Sequence, residues 1–263
     1  MTVYADLLRY RELFANLFRR DFQAKYKGSA LGVLWSLLNP LVLLGVYLVV
    51  FGVIFHNALP HFPVYLLAGL ACWIFFSVSL QSASRSMIDS GELIKKVRFP
   101  RQLVAFSMVA TQAVTFAVML VVLIVVSLVF IPHSARVVWV AIPLAAVFAV
   151  LVAGLSLVVA CLNVVFRDVE HVLTAALLPW FFLTPIVWSI ATQSTVQRHP
   201  VLADVLRWVN PIAPPIYAVR APIWAAQLPR LADVVYLVVA ATVSALLGAL
   251  VFRAVDDRIA VEL

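Results

Sequence analysis

Charge is scarce in this chain. Asp, Glu, Lys and Arg make up 12% of its 263 residues, while 65% are apolar. A soluble domain averages about 25% charged and about 45–50% apolar residues. No soluble fold of this size can hide so much apolar surface, because a large share of its area always faces water. A water-soluble enzyme, a disordered chain and a collagen-like rod are therefore excluded, and the chain reads as an integral membrane protein. Cysteine is almost absent: Cys72 and Cys161 stand alone inside apolar runs, which excludes a disulfide framework and a zinc site. His56, His61, His133, His171 and His199 are scattered over loops and span ends and form no HExxH pair, and no GxSxG elbow is present. A GxxxxGK[ST] loop is also missing, so the chain cannot cradle nucleotide phosphates in that manner; any ATP must be bound by another polypeptide.

Charge-free runs mark the spans, since each ~30 Å crossing needs about 20 apolar residues. From Gly28 to Ser84 there is no Asp, Glu, Lys or Arg. The stretch from His56 to Pro63 breaks this run in two, and further runs lead to six predicted spans, at about 34–55, 64–84, 103–131, 137–163, 172–190 and 234–252. No internal repeat is detectable. No predicted span carries an ionisable group near its middle, which disfavours an ion- or proton-coupled carrier, although sodium held by backbone carbonyls of broken helices stays open.

The 19 Lys and Arg against 12 Asp and Glu give a net charge of +7. These cations flank apolar runs, where they orient a membrane protein, so nucleic acid is not the expected partner. They concentrate before the first span and between the second and third, at Arg85, Lys95, Lys96, Arg98 and Arg101. Both termini are therefore expected in the cytoplasm. Residues 1–33 read as an amphipathic helix rather than a signal peptide: Val3, Leu7, Tyr10, Phe14, Leu17 and Phe18 recur at helical spacing opposite Arg9, Glu12, Arg19 and Lys27. Such a helix lies in the headgroup plane, as an anchor or as a docking surface. Residues 199–231 hold Pro200, Pro211, Pro214, Pro215, Pro222 and Pro229 and cannot form one continuous helix. They read as two short helices dipping in from the outer face, or as an amphipathic cap upon it. A short cytoplasmic tail, 254–263, follows the last span.

A family resemblance emerges from these residues. Arg20-Asp21-Phe22-Gln23-Ala24-Lys25-Tyr26-Lys27-Gly28-Ser29-Ala30-Leu31-Gly32-Val33-Leu34-Trp35, with Asn39-Pro40, resembles the approach to the first span in polysaccharide-export ABC permeases. That group includes O-antigen (Wzm-type), capsule and teichoic-acid (TagG-type) exporters. Leu93-Ile94-Lys95-Lys96-Val97-Arg98-Phe99-Pro100-Arg101 resembles their cytoplasmic loop after the second span. Asn163-Val164-Val165-Phe166-Arg167-Asp168 with Leu183-Thr184-Pro185-Ile186 resembles their fifth span, and Asn210-Pro211 with Arg220 the connection before the sixth. Two departures stand out: Gln102-Leu103-Val104 replaces an acidic residue and second proline, and Val187-Trp188 replaces a tyrosine.

The resemblance implies a homodimer of six-span subunits in a bacterial inner (plasma) membrane. It implies two copies of a separate ATPase that hold ATP and Mg, no cofactor in this chain, and a lipid-linked glycan as substrate. Ser90, Gly91, Glu92, Leu93, Ile94, Lys95, Lys96, Val97 and Arg98, within the loop 85–101, would form the ATPase-coupling helix, with Leu93, Ile94 and Val97 as its apolar anchor. Arg19, Arg20, Lys25, Tyr26 and Lys27 would face the inner surface. Arg167 and Asp168 join them there, as a helix cap or as a hinge-locking pair. Trp180, Thr184 and Trp188, at i, i+4 and i+8, would share one face of the fifth helix beside Phe181. Together with Trp35, Tyr47 and Phe51 of the first span they would line a glycan path, because sugar C–H faces stack on aromatic rings; the alternative for such residues is an interfacial belt. Asn210, Pro211 and Arg220 would belong to an outer gate. The expected function is export of a polyprenyl-pyrophosphate-linked polysaccharide; a permease for a drug or another lipid, or a membrane enzyme acting on lipid-linked sugars, are the alternatives.

Overall fold

The computed structural model describes residues 3–28, 32, 35–50, 59–96, 99–190, 193, 196 and 198–262, and among them every regular element is helical. Two amphipathic helices, α1 (Ala5–Arg9) and α2 (Arg11–Tyr26), come first, followed by α3 (Trp35–Tyr47), α4 (Phe62–Asp89) and the short α5 (Gly91–Lys96). α6 (Gln102–Phe130) leads through two 3-10 turns, Pro132–Arg136 and Val138–Val140, into α7 (Ala141–Val165) and then α8 (Val169–Leu183). α9 (Pro200–Asp204) and α10 (Ala213–Arg220) are each prolonged by a wider turn, Val205–Val209 and Ala221–Ala225, before the long α11 (Leu231–Glu262).

Among the described residues, four segments are long and apolar enough to cross a membrane: Phe62–Asp89, Gln102–Phe130, Val138–Val165 and Leu231–Asp256. They match the second, third, fourth and sixth predicted spans. At the other two the helices are shorter among the described residues. α3 carries Pro40 inside it, and residues 51–58, with Phe51, lie outside the described residues. α8 spans 15 residues, which at 1.5 Å per residue is about 22 Å, short of a full hydrocarbon crossing.

The fifth predicted span therefore ends early. Thr184 leaves the helix at ψ 131°, because the ring of Pro185 clashes with an α-conformation at the residue before it. The sixth runs longer than expected. No proline or glycine follows Gly248, so the helical ladder continues and the predicted tail is helical from 254 to Glu262. At the start of α4, His61 turns the chain at φ 49° and Pro63 sits in the first turn, where its missing N–H costs nothing.

α4 is the central helix. Its span is mostly buried, and α3, α6, α7, α8 and α10 all touch it. Phe76, Leu66, Leu70 and Tyr65 of α4 pack with Phe148 and Leu151 of α7, Leu123 of α6 and Ile216 of α10 in the main core. α7 and α11 meet through small residues: a methyl group on Gly154 would lie 2.5 Å from the Ser244 carbonyl carbon, and one on Gly248 would lie 2.9 Å from the Gly154 oxygen. A second, smaller core gathers at the opposite end of α4, where Val3, Met87, Ile94, Phe106, Cys161 and Phe252 pack together.

Candidate functional site

A groove of about 310 Å³ runs between α3, α4 and α8. Tyr47, Trp73 and Phe181 supply ring surface to it, Ser77, Gln81 and Thr174 supply neutral polar groups, and the rest of its lining is aliphatic. The Tyr47 and Phe181 rings stack at 5.9 Å, and Trp73 packs against Phe181 at 5.6 Å. No lining residue is charged. The groove therefore joins ring faces to neutral hydroxyl and amide groups.

Of the aromatic positions expected on a glycan path, Tyr47 and Phe181 line this groove. Trp180 stands behind it, with its ring against Phe76 at 5.3 Å and Trp73 at 6.3 Å, and its indole N–H donates to Asn210 Oδ1 at 3.0 Å. Because α8 stops at Leu183, Thr184 and Trp188 do not continue its face. Thr184 is fully buried and donates to the Trp180 carbonyl at 2.8 Å; Trp188 donates to the Phe182 carbonyl at 3.0 Å. Trp35 is exposed at the far end of α3. Sequence reasoning missed α4, where Trp73, Ser77 and Gln81 recur at i, i+4 and i+8. That spacing of polar groups inside an apolar run was the available signal.

The residues expected in an outer gate instead form a clamp over the end of α8. Asn210 Nδ2 donates to Thr184 Oγ1 at 2.9 Å, while its Oδ1 also accepts the Ile212 N–H at 3.1 Å. Arg220 is 1% exposed. Its Nη1 donates to the Pro185 carbonyl at 3.1 Å, and its guanidinium lies 3.9 Å from the centre of the Tyr65 ring. The Tyr65 hydroxyl donates to the Trp188 carbonyl at 2.8 Å and approaches the Pro185 carbonyl at 3.2 Å. Gly69 makes room for this: a side chain there would collide with Arg220 Nη2. A desolvated cation over a ring gains about 2 kcal/mol. Among the described residues Arg220 Nε and Nη2 have no hydrogen-bond partner, and each such buried donor costs about 1–3 kcal/mol. Pro211 lies elsewhere, on an apolar hollow between α7 and α11.

At the other end of the bundle, α2 does not lie across the helices but runs alongside α6. Leu17 packs on Leu103 and Val104, the buried Asp21 accepts from Ser107 Oγ at 2.6 Å, and Lys25 donates to Gln112 at 2.7 Å and Thr115 at 3.2 Å. Tyr26 also meets Thr115, at 3.0 Å. The apolar stripe expected in the lipid boundary is partly turned inward: Val3 and Leu17 are buried and Leu7 and Phe14 pack against them. Tyr4 reaches the Ala245 carbonyl of α11 at 2.5 Å, and burial pushes its phenol above the ordinary range, keeping it a neutral donor. Arg20 pairs with Asp21 at 2.8 Å, and its guanidinium reaches Ser90 at 3.5 Å; Arg19 and Lys27 are exposed.

α5 differs from the expected anchor. Ile94 is buried in this chain's own core and Leu93 packs beside Leu17, because both face α1, α2 and α6. Ser90 and Gly91 are buried as well, so Glu92, Lys95 and Lys96 form the outward face, with Lys96 and Glu92 paired at 3.2 Å. Val97 and Arg98 lie outside the described residues. Arg167 and Asp168 are both exposed, and no ion pair among the described residues joins them. Asp168 occupies the cap position of α8 without a side-chain bond. Asn163 does the capping: its Oδ1 accepts the Glu170 N–H at 3.0 Å while its Nδ2 donates to the Ser84 carbonyl at 2.9 Å. The ion pair at this corner is Arg85 with Glu170, at 2.7 Å.

Residues 12–224 match the family model described as ABC-2 type transporter. The chain is 31% identical over 228 residues to the O-antigen export system permease protein RfbA of Myxococcus xanthus, covering 85% of each protein. It is 30% identical over 204 residues to the protein of the same name from Klebsiella pneumoniae, covering 75% of this chain and 78% of the relative. A shorter match, 36% over 78 residues, links it to the polysialic acid transport protein KpsM of Escherichia coli, covering 29% of this chain and 30% of the relative.

Proposed function

The chain belongs to the ABC-2 type transporter family, and from that premise we propose that it is the membrane permease of an ATP-driven polysaccharide exporter. It is a transporter subunit and is not catalytic by itself. A separate ATPase chain binds ATP and Mg, in keeping with the missing phosphate loop. Two permeases and two ATPases assemble in the bacterial plasma membrane. Each permease crosses it six times, with α3 and α8 completing the set, and both termini are cytoplasmic. The outer pair α9 and α10 is re-entrant; the burial of α10 beside the first turns of α4 supports this, because broken backbone in hydrocarbon survives only inside protein.

The cargo is a lipid-linked glycan. The observation that carries this reading is the uncharged groove of Tyr47, Trp73, Phe181, Ser77, Gln81 and Thr174. Aromatic faces hold sugar rings and the polar groups replace water, which a polar chain needs inside hydrocarbon. Arg20 and Lys25, with Arg19 and Lys27, favour an anionic carrier headgroup at the inner surface.

The test is genetic and biochemical together. In a strain deleted for this permease, the wild-type protein restores surface polysaccharide and copurifies with the ATPase encoded beside it. Trp73→Ala should lower surface polysaccharide at least fivefold while the ATPase remains bound. Undiminished export would remove the groove from the path.

A further inference from the structure

α8 is tied by polar bonds at both ends, and between them most of its residues are exposed. From Val169 to Leu183 only Leu177 and Phe181 are buried. The inner attachment is Asn163 on the Glu170 N–H and the Arg85–Glu170 pair, whose arginine is 63% exposed; an exposed pair of this kind holds weakly. The outer attachment is buried. Arg220 and Tyr65 both bond the Pro185 carbonyl, Tyr65 also takes the Trp188 carbonyl, and Asn210 takes Thr184. The helix carrying Arg220 is itself fixed: Ala213, Pro214, Pro215, Ile216, Ala218 and Val219 are all buried, packed among α4, α7 and α11.

We propose that Arg220, with Tyr65 and Asn210, is a positioning residue that pins the break at Thr184–Trp188 as a pivot. α8 swings about this point and its aromatic face opens and closes the groove. The outer hairpin then stays with the bundle instead of lifting as a flap. A guanidinium suits this task because it holds a carbonyl through a directed donor while its flat face rests on Tyr65, leaving the backbone around Thr184 free to bend. The pivot rests on the export reading above, since it describes how the same groove is worked.

Cross-linking tests it without needing the cargo. Two cysteine pairs are compared in membranes holding the permease with its ATPase, where native Cys72 and Cys161 are buried. Thr184→Cys with Asn210→Cys probes the clamp, and Tyr47→Cys with Phe181→Cys probes the groove. Each is treated with a short bifunctional thiol reagent, without nucleotide and with MgATP plus vanadate. The clamp pair should link at rates equal within twofold, whereas the groove pair should change at least fivefold. A fivefold loss at the clamp on adding MgATP and vanadate, or an unresponsive groove, overturns the pivot. Linking the clamp should lower export less than twofold relative to the same variant left unlinked, while a lifting flap would lose at least tenfold on linking. Arg220→Ala should lower export per ATP hydrolysed at least fivefold with Arg220→Lys recovering part of it; if the alanine variant fails to assemble, the linking rates decide. Those rates do not depend on which cargo is carried, so their result stands apart from the export reading.

Discussion

Single residues decide how closely this bundle packs and where its polar groups go. Gly154 is the clearest case, because its missing side chain lets α11 approach to contact at Ser244. Replacing it with valine forces overpacking, which costs about 1–3 kcal/mol. Gly154→Val should therefore lower the midpoint of thermal unfolding in detergent, and an unchanged midpoint would show that the two helices part without strain. Asn163 works by a different route. It caps α8 from the preceding helix, seven positions before Glu170, and ties that corner to Ser84. Capping propensity pointed to Asp168, the local candidate. It could not reveal an amide arriving from across a turn.

Helical elements were legible from periodicity, but the partners of their faces were not. The pattern around Leu93 and Ile94 announces an amphipathic turn, and any apolar surface would satisfy it. In the structure that surface is α1, α2 and α6 of the same chain. What α5 leaves for a partner is charge, at Glu92, Lys95 and Lys96. Reversing Lys95 and Lys96 to glutamate should release the ATPase during copurification while leaving the permease as stable as wild type. Ile94→Asp should instead destabilise the permease alone. If the double reversal retains the ATPase fully, α5 is not the contact. α8 teaches the same lesson about limits: Trp180, Thr184 and Trp188 share a helical spacing, yet Pro185 ends the helix before the pattern is complete.

Across the whole molecule, the amphipathic N-terminal helices are joined to the bundle through polar bonds along α6. Asp21 is one of these contacts, buried against Ser107 and held by Arg20. Asp21→Ala leaves Ser107 without its carboxylate and frees Arg20. Trypsin cleavage at Arg19 or Arg20 in inside-out vesicles should then rise at least tenfold, with the later helices intact. An unaltered rate would mean that the apolar contacts of Leu17 alone secure α2. Membrane class, the need for an outside power source and the positions of the long spans were all determined by the sequence, because they depend on composition and run length along the chain. The uncharged character of the groove belongs with them, since the predicted spans that line it carry no Asp, Glu, Lys or Arg. Tertiary structure alone decided that Trp73, Ser77 and Gln81 join Tyr47 and Phe181, that Ile94 faces inward, and that Arg220 closes over the end of α8. Each of these depends on which helices become neighbours, and in a chain whose helices are apolar on nearly every side, periodicity cannot choose among them.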